Sequence, residues 1–324
     1  MCRPSENDVS MLVKRDLHRI RRFAGRPRRR YNLANRNSDI VFWKQPTYRC
    51  VIKCMPLTQL ACRPTHFMRV SNLPRLDAEP FMEIRMLTEL AKMHDACPHF
   101  PVMYHWHVHN GHRFANTCVQ NFTNTSIYLY MQQMDGTCFE WSHTPQLDIR
   151  WKIMLFQVLF ALLTVHSKLN FVHGDAHIGN VLYKKIPLRN ECFRYNLNGV
   201  IYYLPNQGEW WCLSDFGRSR CIDLHSVNQD EAWADTPVLD IRNFIGSIFR
   251  CANPAGETQK LLRLTLTFLE RDSTQNIHTM INTVFESFLH PTGLVRTDTQ
   301  FTLMSSCQHL NSSQVATGSA NSEA

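Results

Sequence analysis

The stretch His173-Gly174-Asp175-Ala176-His177-Ile178-Gly179-Asn180 sets a carboxylate and, five residues on, an amide. After a long gap a second carboxylate follows in Ser214-Asp215-Phe216-Gly217. One aspartate can take a proton from a hydroxyl, while the second aspartate and the asparagine offer the hard oxygen donors that magnesium prefers. A base beside a magnesium site is the equipment of phosphoryl transfer, which asks for positioned groups and counter-charges more than for covalent help.

Such groups must be presented by several elements. Ile40-Val41-Phe42-Trp43 and Tyr48-Arg49-Cys50-Val51-Ile52-Lys53, separated by Gln45-Pro46-Thr47, have the β-branched and aromatic content of a hairpin. Phe81, Ile84, Leu87, Leu90 and Ala91 recur at helical spacing across Pro80 to Met93, with Pro80 suited to a first turn. Alternation through Val102 to Phe114, turned at Asn110-Gly111, and the run Ile127 to Met131 predict three more strands. After the turn signal Asp135-Gly136, Ile149 to Ser167 is apolar almost all round, as a central buried helix is, and helical patterning returns at 237–250 and 258–270. No internal repeat is visible.

The chain has 324 residues, 44% apolar and 19% charged, enough to bury a sizeable core and unlike a disordered chain. The net charge of +8 is concentrated: residues 14–30 hold nine Lys/Arg against one Asp, the whole excess. A basic flexible arm over 1–30 follows, and a polar flexible tail over 296–324. No secretory pattern opens the sequence, and the longest apolar run, Ile153 to Val165, is too short to span a bilayer. The twelve cysteines contain no C-x-x-C pair and read as free thiols of an intracellular protein. The N-x-[ST] matches at Asn121, Asn124 and Asn311 carry no weight without export.

In this order, hairpin with Val51-Ile52-Lys53, helix with Glu83, strand to Met131, apolar helix, His-Gly-Asp-x-His-x-Gly-Asn, then Ser-Asp-Phe-Gly, the chain resembles the protein-kinase superfamily over roughly 33–290. The resemblance implies an α+β, two-lobed fold, with an N-lobe over 31–134 (a small sheet plus a helix) and a mainly helical C-lobe over 135–295. It implies ATP and Mg2+. Lys53 would hold the phosphates and Glu83 would pair with it, Glu79 and Glu89 being alternatives by register. Asp175 would be the base, and Asn180 and Asp215 would hold magnesium. Leu33, Val41, Met131 and Met134 would line the nucleotide site, Met131 as gatekeeper and Gln132 to Met134 as the hinge. The activity implied is transfer of the γ-phosphoryl group of ATP to Ser/Thr hydroxyls of protein substrates.

Departures from the family pattern matter. Ala34, Arg36 and Asp39 occupy the glycine positions of the phosphate-covering loop, where side chains oppose tight closure of backbone amides; Arg36 offers charge instead, or the loop is merely loose. Gly174 stands where many members have an arginine that senses a phosphorylated activation segment, and His177 stands for the usual lysine. The His-Gly-Asp-x-His style is also that of small-molecule kinases acting on aminoglycosides or choline, the alternative reading. A scaffold with weak nucleotide binding is the third. A Tyr-rich strand pair, Val200 to Leu204 and Gln207 to Trp211, is inserted before Asp215, in the manner of divergent Ser/Thr kinases of large DNA viruses. Asp240 is expected to cap its helix.

Two weaker signals remain. His94, His99, His105, His107, His109 and His112 with Cys97 form a histidine-rich patch, yet their spacing yields no tetrahedral zinc set. Ala24 to Arg30 contains the Gly-Arg-Pro core of a minor-groove hook, though polyanion contact or nuclear import is the plainer reading of such a run. Cytoplasm or nucleus, of a host cell if the chain is viral, is the expected location. No membrane contact is expected, and oligomeric state is not encoded in these patterns.

Overall fold

Alternating β-branched and aromatic residues build the first sheet. The computed structural model describes residues 39–44, 48–58, 75–110, 122–221, 237–252, 254–270, 274–290 and 295–303. Strands β1 (Asp39–Lys44), β2 (Arg49–Thr58), β3 (Met103–Asn110) and β4 (Phe122–Gln132) form one antiparallel sheet in the order β1-β2-β4-β3. The expected hairpin is therefore present, and Lys53 stands opposite Ile40 on one side and Leu129 on the other. The expected turns at 45–47 and after Asn110, like Leu33, the 33–38 part of the loop, the basic arm and the segment 222–236, lie outside the described residues.

Helix α1 (Arg75–Ala91) packs on this sheet. Glu83, Met86, Leu87 and Leu90 are all buried, a stripe at helical spacing that carries one carboxylate among apolar neighbours. The helix starts at Arg75, so Pro80 lies inside it instead of in the first turn. Its missing N–H forfeits one intrahelical bond near the start, a loss that packing of the stripe outweighs.

The second lobe is built around α3 (Asp148–Leu169), which follows β5 (Gly136–Thr137) and the short helix α2 (Cys138–Ser142). Fifteen residues of α3, from Trp151 to His166, are buried. The polar Gln157 is tolerated there because its Oε1 accepts from the Trp211 amide at 3.0 Å. Asn170, in the left-handed conformation with φ 51°, ends the helix. At 22 residues α3 is the one helix among those described that is long and apolar enough to cross a membrane, yet 83% of its apolar window is buried in the protein. It is a core helix.

Around α3 lie β6 (Phe171–Val172), β7 (Val181–Lys185), β8 (Glu191–Leu197), β9 (Val200–Pro205), β10 (Glu209–Leu213) and β11 (Arg220–Cys221). Helices α4 (Pro237–Cys251), α5 (Gly256–Glu270) and α6 (Thr274–Val284) complete the lobe. The chain thus has an α+β, two-lobed, kinase-like fold, with a small sheet and helix in one lobe and a mainly helical second lobe. The Tyr-rich pair expected from sequence is regrouped: β9 pairs with β8 across the Asn198-Gly199 turn, while β10 pairs with β7. Both central residues of that turn have positive φ, which fixes the hairpin one strand earlier than expected.

The polar tail expected from 296 is also corrected, because Val295–Leu303 forms strand β12, parallel to β8. Phe301 supplies the reason, since it is buried against Tyr195, Trp210 and His99. One aromatic anchor outweighs the polar composition around it. Residues 304–324 lie outside the described residues.

Candidate active site

Lys53, Glu83 and Asp215 meet although strand, helix and a distant turn supply them. The Lys53 ammonium donates to both oxygens of Glu83 at 2.9 and 2.7 Å and to Asp215 Oδ1 at 2.7 Å. Burial by itself would lower the Lys53 pKa, but the adjacent Asp215 and Glu83 carboxylates outweigh it and hold the ammonium charged. For Glu83, burial dominates and pushes the carboxyl to about 7, against the pull of Lys53. For Asp215, burial is likewise the largest influence, yet Lys53 outweighs it and the carboxyl lies below its ordinary value. Of the candidates open by register, Glu83 is the one that reaches Lys53; Glu89 instead pairs with exposed Lys92.

Asp215 adopts φ 66°, a left-handed conformation that asparagine and aspartate tolerate better than other side chains. Its carboxylate is aimed by the next residue: Phe216 is fully buried between the rings of Phe100 and His173, at 5.9 and 5.0 Å.

The loop of Asp175 is held from beneath. Asp240 accepts from the amides of His173 and Gly174 at 2.6 and 2.9 Å, and from His166 Nε2 at 2.9 Å. Two turns on along the same face of α4, Ser247 Oγ accepts from the Ile178 amide at 3.0 Å. Asp240 is thus a clamp on the loop and not the cap of its own helix. Burial would raise its pKa, but His166 and His173 lower it further, so the clamp stays ionised.

His173 Nδ1 accepts from the Asp175 amide at 3.3 Å, so Nε2 carries the proton donated to the Ser214 carbonyl at 2.9 Å. Burial keeps this ring neutral by lowering its pKa. Asn180 Nδ2 donates to the Asp175 carbonyl at 3.0 Å, and the Asn180 carbonyl accepts from the Ser214 amide and hydroxyl. Base loop and Asp215 turn are therefore stitched together at two points.

Gly174 has φ 76°, and a Cβ there would stand 2.5 Å from the Arg218 carbonyl oxygen. An arginine at this position, as in many members of the family resembled, would not fit this backbone.

Ile40 is in register with Lys53 and Phe42 with Val51, so strand alternation puts Ile40 and Phe42 on the Lys53 side of the sheet; Val41 is in backbone register with Ile52. Met131, half-buried, pairs with Val51 and shares that side; Met134 follows the strand end and is half-buried. Among the described residues no group of three or more His, Cys, Asp or Glu could hold a metal ion, and His112 of the histidine-rich patch lies outside them. His105, His107 and His109 run along β3 beside Tyr128 and Tyr130. His99 is buried between Tyr195 and Trp210, 5.6 and 4.5 Å away.

Sequence reading offered Glu79 only as a register alternative for the partner of Lys53, missed Arg218 and Ser247, and misassigned Asp240. The last two left a signal, since two polar residues seven apart interrupt the buried stripe Ile241, Phe244, Ile245 and Ile248.

No model of a known protein family matches the chain. Over 66 residues, 20% of its length, it is 48% identical to a probable serine/threonine-protein kinase of Invertebrate iridescent virus 6. Over 116 residues, 35% of its length, it is 29% identical to serine/threonine-protein kinase haspin of Mus musculus. The chain is divergent and protein-kinase-like. The matched stretches span only 12% and 15% of those two relatives. Among solved structures, WaaP in complex with acyl carrier protein aligns with 83% of this chain and 91% of its own, at 12% identity and a TM-score of 0.42, too distant to bear on the site.

What this kinase-like site can do follows from its groups. Asp215 and Asn180 present oxygen donors, a set that fits a hard divalent cation. A buried ammonium held by two carboxylates presents positive charge to phosphates. A third carboxylate, Asp175, stands on a loop clamped from below.

Proposed function

We propose that the chain is an ATP-dependent phosphotransferase acting on Ser or Thr hydroxyls of proteins. The observation that carries the reading is the Lys53 ammonium shared between Glu83 and Asp215 at 2.7 Å each. It brings the charge for the phosphates to the carboxylate of the second motif. The naming of both relatives as serine/threonine-protein kinases supports the acceptor class.

In this reading Lys53 binds phosphate oxygens of ATP, and Glu83 keeps the ammonium in place. Asp175 orients the acceptor hydroxyl and takes its proton as the oxygen attacks the γ-phosphorus and the bond to the leaving diphosphate breaks. Magnesium, held by Asp215 and Asn180, would neutralise phosphate charge. The neutral His173 keeps the base loop and the Asp215 turn in register without adding a charge. We also propose an intracellular location, with residues 14–30 serving polyanion contact or nuclear import.

The test is transfer of radiolabelled γ-phosphate from ATP to a protein panel and, in parallel, to a panel of small alcohols. Wild type should label proteins, and Asp175→Asn should lose about 100-fold or more of the rate with its melting temperature unchanged. Undiminished turnover in that variant overturns the mechanism. Labelling confined to small alcohols transfers the chain to the small-molecule kinases. No turnover and no thermal shift with Mg-ATP points to a scaffold.

A further inference from the structure

Arg218 follows the Asp215-Phe216-Gly217 turn and has no part in the scheme above. Its guanidinium lies between carboxylates from two other elements: Nε is 3.3 Å from Glu79 Oε1 on α1, and Nη1 is 3.5 Å from Asp175 Oδ2. The backbone forces this placement. A Cβ at Gly174 would meet the Arg218 carbonyl oxygen at 2.5 Å, so the bare glycine is what lets the two segments touch. A Cβ at Gly217 would stand 3.4 Å from Glu79 Cβ, so α1 is seated closely on the same turn. Ser219 ties the far side down, its amide donating to the Phe216 carbonyl at 3.1 Å and its hydroxyl to the His173 carbonyl at 3.3 Å.

The Arg218 side chain is 48% exposed, whereas Glu79 and Asp175 are 18% and 31% exposed. A half-exposed ion pair contributes little to stability. Its geometry can still fix a rotor. Across the carboxylate, His177 Nδ1 accepts from the Gly179 amide at 3.0 Å, which puts the imidazole proton on Nε2, 4.0 Å from Asp175 Oδ1 and beyond hydrogen-bond reach. The two oxygens of Asp175 are therefore unlike: Oδ2 meets a tethered cation, leaving Oδ1 to receive a proton.

We propose that Arg218, tethered by Glu79, is a positioning residue that fixes the Asp175 carboxylate for proton acceptance. Helix α1 then sets both halves of the chemistry, the phosphate lysine through Glu83 and the base through Glu79 and Arg218. The proposal rests on the phosphotransferase reading.

Steady-state kinetics of wild type, R218A, R218K, E79Q and E79Q/R218A with Mg-ATP and one protein acceptor test it. Arg218→Ala should lower kcat about 10- to 100-fold, the scale of a misplaced catalytic group, with KM for ATP within about twofold. Arg218→Lys should recover part of that loss. Glu79→Gln should lower kcat less, and the double variant should be no slower than R218A, because both residues act through one contact. Added guanidinium ion should restore part of the R218A rate and leave wild type unchanged, an outcome that a purely structural role does not produce. Should R218A fail to fold, R218K and E79Q carry the test, and wild-type kcat in both overturns the proposal. An active wild type matched by R218A overturns this proposal alone; an inactive wild type overturns the phosphotransferase reading and the proposal together.

Discussion

At Gly174 the backbone takes φ 76° and leaves a Cβ only 2.5 Å from the Arg218 carbonyl oxygen. Either feature alone penalises a side chain; together they make the glycine a condition for joining the base loop to the Asp215 turn. Gly174→Ala should lower stability by about 2 kcal/mol or more, from left-handed strain plus backbone displacement. A urea titration with unchanged slope and a lower midpoint checks it; an unaltered midpoint refutes the contact. From sequence the residue is legible as a departure, the missing arginine, but not as a requirement. Its φ depends on what packs against it.

Among the elements, β12 and α4 differ most from expectation. A strand of Thr, Gln and Asp residues is a weak strand by composition, yet Phe301 docks it on a cage of Tyr195, Trp210 and His99. Phe301→Ala should cost about 3 kcal/mol, as for other buried large-to-small changes. Unfolding followed by circular dichroism measures this, and a loss under about 0.5 kcal/mol, the range of surface changes, would place Phe301 outside the core. On α4, Asp240 and Ser247 share a face because residues seven apart come round to the same side after two turns. Helical periodicity exposes that pairing in the sequence. Only the fold shows that the face meets the Asp175 loop.

Across the whole molecule, buried groups of opposite sign set the response to acid. Glu83, raised to about 7, binds a proton in the folded chain and adds stability as pH falls from about 7 to its unfolded value of 4.5, whereas the buried neutral histidines subtract it. His99 donates from Nδ1 to the Trp211 carbonyl at 2.7 Å, accepts from the Tyr195 hydroxyl at 2.9 Å through Nε2, and accepts the Leu213 amide at its carbonyl at 2.8 Å. Burial, countered only in part by the Trp211 carbonyl, lowers its pKa from 6.5 to about 3. In that window the unfolded chain binds a proton that the folded chain refuses, so stability falls as pH falls from about 6.5 and levels off below about 3. The slope from this one residue is about 1.4 kcal/mol per pH unit. His173 acts in the same direction just below 6.5. Asp240, with its lowered pKa, adds a loss only as pH drops below its unfolded value of 3.8. Because Glu83 offsets His99 between pH 7 and pH 5, the test is the comparison of two chains. The change in urea midpoint from pH 7 to pH 5 should be more favourable at pH 5 in His99→Phe, which keeps a ring and removes the proton site, than in wild type; equal changes would sink the assignment.

The sequence by itself determined the central helix and the strands at 39–44, 49–58 and 103–110 with the run to Met131, and it singled out Lys53, Asp175, Asn180 and Asp215 as candidates, because periodicity and motif spacing are local. Glu83 was legible within one register choice, which a buried stripe then settled. Tertiary structure alone decided which strands pair in the inserted segment, that Ile40 and Phe42 share the Lys53 side of the sheet, and that β12 returns to β8. It alone brought Glu79 and Arg218, 139 positions apart, to Asp175. Strand register and long-range charge contacts depend on neighbours that no local pattern names, and so they are fixed only when the chain has folded.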